Sequence, residues 1–183
     1  GSSGGQKQIK AKTVDFAGSD APMKIEELEE FHLVQFPAVI GGVTVVFNLP
    51  GIESGKVKLD AATLANIFRG AITKWNDSAI AALNPGMTLP STAITVVHRA
   101  DGSGTTFVFT NYLALNSVSF RTEVGADKEV NWPKGTLGGK GNAGVAANVL
   151  KIAGAVGYVD YADANKNNMK FAALKNRAGD FVL

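Results

Sequence analysis

A chain of 183 residues with 45% hydrophobic and 19% charged residues is globular, long enough for one domain or one domain and part of another. A net charge of +2 with no Lys/Arg cluster argues against a nucleic-acid or membrane-surface role, so any anion site has to be local. The absence of cysteine excludes disulfides, thiolate catalysis and zinc–thiolate sites. No apolar run reaches the length of a membrane span, and residues 1–10 lack the hydrophobic core of a signal peptide.

Along the chain, residues 6–12 are rich in helix formers, and the serines before them suit an N-cap. Residues 14–17 alternate like a short strand, and 24–30 predict a short acidic helix. Two strands are expected at 31–36 and 40–49. The second is β-branched and nearly uncharged, which predicts burial on both faces, with Gly41-Gly42 marking a bend. Asp60 suits the cap of a helix over 61–69 that Gly70 ends, and Asp77 the cap of one over 78–83. A strand follows at 93–97 and a helix at 107–115, whereas 116–130 is polar and predicts no element. A glycine-rich stretch, 135–144, leads into a helix over 143–152. A strand at 155–159, a short helix at 161–167 and a strand at 171–174 complete the series. The chain ends on an apolar run, Phe181-Val182-Leu183, that needs something to pack against. Strands alternating with helices predict α/β architecture.

The richest chemistry lies in His98-Arg99-Ala100-Asp101-Gly102-Ser103-Gly104-Thr105, between a strand and a helix. A helix start leaves free backbone N–H groups that attract anions, and Arg99 adds a planar charged fork suited to a tetrahedral oxyanion. Asp101 would orient that fork, Ser103 and Thr105 would donate, and Gly104 would let the backbone come close. An ordinary capped turn explains the same residues. Asp20 in Gly18-Ser19-Asp20-Ala21-Pro22 is by itself a turn aspartate. Facing an anion it would repel, unless the anion carries a proton to donate. Hydrogen phosphate does so near neutral pH and sulfate does not. Ser2, at a helix start, could add a hydroxyl and an N–H, or act only as a cap. The stretch from Gly135 to Gly141 fails the nucleotide-loop pattern, because Lys134 replaces the first glycine and Gly141 follows Lys140. His32 and His98 are far apart and fit no metal spacing. Ser103, His98 and Asp101 could form a triad on paper. A phosphoester hydrolase with Ser103 as nucleophile, or a binder of another oxyanion, therefore stays open.

Gly1-Ser2-Ser3-Gly4-Gly5, the Val14 to Pro22 stretch, Ile67-Phe68-Arg69-Gly70 with Trp75-Asn76, the Arg99 to Thr105 turn, Trp132-Pro133, Gly138-Gly139-Lys140-Gly141-Asn142 and Val156-Gly157-Tyr158-Val159 occur in one order over nearly the whole chain. Together they resemble the phosphate-binding proteins of bacterial high-affinity phosphate ABC transporters. The resemblance implies an α/β fold of the periplasmic-binding-protein type II kind, with residues 37–183 as one largely complete lobe and 1–36 as a remnant of the other. It implies inorganic phosphate held in a cleft by Ser2, Asp20, Arg99, Ser103, Gly104 and Thr105, with Asp101 supporting Arg99. It further implies no catalytic residue, cofactor, metal or nucleic-acid partner. The protein would be a periplasmic or cell-surface monomer that delivers phosphate to a membrane permease. Such proteins also have an N-terminal strand with a Gly-Ala-Thr-Phe-Pro-type loop and a C-terminal segment, which this sequence does not contain.

Overall fold

A computed structural model describes residues 1–183. The chain builds a five-stranded mixed sheet of order β4-β3-β5-β1-β6, from β1 (Val43–Phe47), β3 (Thr95–Arg99), β4 (Leu137–Gly139), β5 (Ala155–Asp160) and β6 (Lys170–Phe171). β3 runs parallel to β4 and β5, while β1 is antiparallel to β5 and β6. A smaller sheet of order β2-β7-β8 joins Lys58–Leu59, Ala173–Lys175 and Phe181–Val182.

Strand side chains alternate between faces, so each central strand feeds two cores. Val45, Phe47, Val96, Val156 and Tyr158 face α3 (Ala61–Phe68) and α5 (Gly104–Asn116), which contribute Leu64, Ile67, Phe68, Phe109 and Leu113. Val46, Val97, Ala155 and Val159 face the other way, toward α7 (Gly141–Lys151) and α8 (Tyr161–Lys166), which contribute Val145, Val149 and Ala164. The result is a helix–sheet–helix sandwich. All residues of both buried cores fall between Val45 and Ala172. The N-terminal helices α1 (Ser2–Lys10) and α2 (Ile25–Phe31) lie outside them. Two further short helices, α4 (Ser78–Leu83) and α6 (Val118–Glu123), complete the chain.

Several local expectations need correction. Residues 14–17 form no strand, and 31–36 form none either: α2 runs through Phe31 and His32 closes it in the left-handed region at φ 53°. The strand expected from residue 40 begins at Val43, and Ile40, Val39 and Val34 are almost fully exposed. No other strand of this chain runs beside residues 33–42, so their apolar alternation produces no pairing. α1 starts at Ser2 rather than residue 6, with Gly1 as a cap that uses no side chain. α5 starts at Gly104, three residues earlier than expected, because the buried Ser103 hydroxyl accepts the Thr106 N–H at 3.2 Å. The terminal apolar run does find a partner, since β8 pairs with β7.

One side chain ties the sheet to the turn after β3. Tyr158 is fully buried and stacks on Phe109, with centroids 4.3 Å apart. Its hydroxyl accepts the Arg99 backbone N–H at 3.2 Å and lies 2.7 Å from Thr106 Oγ1. Burial pushes the phenol pKa up, so it stays protonated. Tyr158→Phe keeps the ring but leaves two buried polar groups short of a partner. Urea denaturation is expected to show a stability loss of about 1–3 kcal/mol.

Candidate anion-binding site

The turn after β3 collects the site. Arg99, the last residue of β3, is only 9% exposed. Asp101, two residues on, meets it fork to fork: Nε donates to Oδ1 at 2.8 Å and Nη2 to Oδ2 at 2.6 Å. Asp101 Oδ1 also accepts the Gly141 N–H at 3.0 Å. The hydrogen bonds from Arg99 hold the Asp101 carboxyl well below the usual carboxylate range, the Gly141 N–H adds to this, and burial opposes it. Arg99 Nη1 donates to Asn142 Oδ1 at 2.9 Å, and Thr105 Oγ1 lies 3.5 Å away.

The seven residues expected from the sequence come together. A β-carbon at Gly104 would overlap Ser2 Oγ and sit 2.6 Å from Asp20 Oδ2. A β-carbon at Gly102 would overlap Ser3, whose N–H donates to Gly102 O at 3.2 Å. The start of α1 therefore lies directly against the start of α5. Ser2 is 5% exposed, and its hydroxyl accepts the Asp20 N–H at 3.2 Å. The N–H groups of Gly104 and Thr105 have no partner in the chain, since Ser103 takes those of Thr106 and Phe107. Two helix N-termini, each with a partial positive charge, thus face one another beside Arg99.

Asp20 is fastened from behind by a residue that sequence reasoning missed. Gln6, 5% exposed on α1, donates through Nε2 to Ser19 Oγ at 3.0 Å and to Ala21 O at 2.9 Å. Its Oε1 accepts from Lys128. Asn142 and Tyr158 were also missed as site residues. They lie inside motifs of the resemblance, yet no spacing rule singles them out.

The paper triad does not assemble. The ring of His98 stacks on Trp132 at 5.1 Å, and its Nδ1 lies 2.8 Å from Arg99 O, a carbonyl that can only accept, so Nδ1 carries the proton. Burial pushes the His98 pKa down. Ser103 is fully buried as a cap, and the Asp101 carboxylate is taken by Arg99 and Gly141. None of the three side chains bonds another, so Ser103 has no base.

Known proteins resemble this chain over its whole length. The phosphate-binding protein PstS of Pasteurella multocida is 57% identical over 182 residues, covering 100% of this chain and 53% of the relative. PstS of Haemophilus influenzae is 55% identical, with 100% and 54% covered. The chain thus spans about half the length of the curated relatives it matches. Among solved structures, a protein from Clostridium perfringens with bound phosphate aligns with TM-score 0.73 at 18% identity, over 95% of this chain and 61% of that one. A phosphate-binding protein from Stenotrophomonas maltophilia aligns with TM-score 0.71 at 24% identity, over 96% and 56%. At such identities these two speak for the fold alone. The PBP superfamily domain matches residues 1–183 throughout. By its sequence and by its fold, this chain belongs to the periplasmic-binding-protein superfamily.

Proposed function

We propose that the chain binds inorganic phosphate at the meeting point of α1, α5 and Arg99, as the solute-binding part of a phosphate ABC transporter. One observation carries this reading: two helix N-termini with free N–H groups converge on a braced guanidinium, and a carboxylate stands beside Gly104. The donors attract any oxyanion. Asp20 repels every oxyanion that cannot give it a proton, which selects hydrogen phosphate over sulfate. The names of the relatives support the same ligand. Ser2, Arg99, Ser103, Gly104 and Thr105 are the donors and close-approach positions in this reading, and Asp101 braces Arg99.

The rest of the transport reading follows. The chain acts outside the cytoplasm as a monomer, needs no cofactor, performs no catalysis and passes phosphate to a membrane permease. No helix is long and apolar enough to cross a membrane. Residues 1–36 are read as part of one lobe and 37–183 as the other, supported by the confinement of both cores to residues after Val43.

Competition calorimetry with phosphate and sulfate tests this. Asp20→Asn is expected to cut the discrimination by about 1.5–3 kcal/mol, mostly by admitting sulfate; unchanged selectivity refutes the role of Asp20. Arg99→Ala is expected to weaken phosphate binding by about 2–5 kcal/mol, partly because Asp101 is left without its partner. No heat with phosphate in the unsubstituted chain sinks the reading.

The Arg99–Asp101 pair also sets an acid limit. The folded carboxyl titrates below its unfolded value of about 3.9, so the pair's stabilisation is complete above about pH 4 and is lost as pH falls through the folded pKa. Asp101→Asn is expected to flatten the acid limb of the stability–pH curve, measured by thermal melting from pH 7 downward.

A further inference from the structure

Arginine has five N–H donors. In Arg99, Asp101 takes one from Nε and one from Nη2, and Asn142 Oδ1 takes one from Nη1. One N–H then remains on Nη2, and the second N–H of Nη1 has only Thr105 Oγ1 at 3.5 Å, a contact too long to hold it firmly. Together they make the two-pronged pattern that two oxygens of a tetrahedral anion accept. Without Asn142, Nη1 would keep only the 3.5 Å contact with Thr105 Oγ1 and would lack the short bond that sets the orientation of its end of the fork. A neutral amide can make this bond without cancelling the guanidinium charge, as a second carboxylate would.

The support for Asn142 is rigid. It sits in the first turn of α7, next to the Gly141 N–H that holds Asp101. The first turn of one helix thus grips both members of the pair, the anion through its backbone and the cation through a side chain. Val145, Ala146 and Val149 anchor that helix in a buried core. Gly139 fixes its distance from the sheet, because a β-carbon there would lie 2.5 Å from Val145 N and 2.6 Å from Gly144 C. The Gly139 carbonyl also accepts the Ala100 N–H at 3.0 Å. The glycine-rich stretch is therefore a platform for the arginine.

We propose that Asn142 is a positioning residue of the oxyanion site, which orients the Arg99 fork so that two N–H groups point at one tetrahedral anion. This rests on the phosphate reading, so the test has one arm that does not. In the phosphate-free full chain, nitrogen-15 guanidinium NMR reads how freely the Arg99 Nη groups rotate. Calorimetry with inorganic phosphate reads affinity. Asn142→Ala is expected to raise the phosphate Kd by about tenfold. It is also expected to collapse the resolved Nη signals of Arg99, while the backbone amide spectrum changes only near the start of α7. Asn142→Asp, which keeps an oxygen acceptor, is expected to keep those signals resolved. Resolved signals in Asn142→Ala, or an unchanged Kd, overturn the proposal. If the unsubstituted chain takes up no phosphate, the phosphate reading fails and the guanidinium spectra alone decide the role of Asn142.

Discussion

A guanidinium held almost out of water at the end of a strand must have a permanent partner, and the site is arranged around that need. Asp101 supplies it two residues later, in the fork-to-fork geometry that only arginine allows. A buried ion pair is a weak source of stability, because desolvation offsets most of the attraction. Its value here is geometric. Asp101 is tied to the start of α7, on one face of the sheet, and Arg99 belongs to the turn that starts α5, on the other. The pair therefore joins the two helical layers around the C-terminal end of β3, an interior strand of the sheet. The two charges of the pair cancel, so in the phosphate reading the pull on an anion would come from the remaining N–H groups and the helix ends.

Those helix ends could not meet if side chains stood between them. Gly102 and Gly104 are the positions where α1 reaches α5, and a β-carbon at either one collides with Ser2, Ser3 or Asp20. Two positive helix termini this close repel each other. An anion between them turns that repulsion into attraction on both sides. The glycines of the turn thus act by absence of bulk: their backbone lies outside the left-handed region that would call for glycine on conformational grounds.

What could be read from the sequence was what is local. Asp60, Asp77 and Ser103 cap helices because a cap needs only its own next three residues. Ser117 caps α6 in the same way and was legible in principle, through its acceptance of the Phe120 N–H. β1, β3 and β5 carried clear β-branched patterns. β2 and β4 are two and three residues long, too short for any period to register. The strand expected at 31–36, and the start of the one expected at 40–49, failed for the opposite reason: their pattern is apolar, but pairing depends on a neighbour, which no local pattern contains. At the site, Arg99 to Thr105 was legible because it is contiguous. Ser2 and Asp20 could be named as candidates from their chemistry, but their place in one site came from family resemblance, because contacts that reach Gly104 from so far upstream in the chain leave no trace in spacing. Asn142 left none either, since an asparagine in a glycine-rich stretch looks like a turn former.

Attraction and selection are built to different tolerances. Donors that attract an oxyanion work over a range of positions, because a charge-assisted hydrogen bond keeps much of its strength through small shifts. An acceptor that selects by demanding a proton has no such margin. In the proposed phosphate reading, water left around the carboxylate of Asp20 would remove the penalty against sulfate. The selecting residue should therefore be the better anchored of the two. Asp20 is exposed and lies in a stretch with no regular structure, so its anchoring has to come from specific bonds. Ser2 holds its N–H, and Gln6 holds both residues beside it while its own amide oxygen is held by Lys128. This chain of bonds runs from a loop after α6, through α1, to the turn that carries the carboxylate. In the proposed reading, the placement of Asp20 thus depends on Gln6, whose side-chain bonds all run to other residues of the chain.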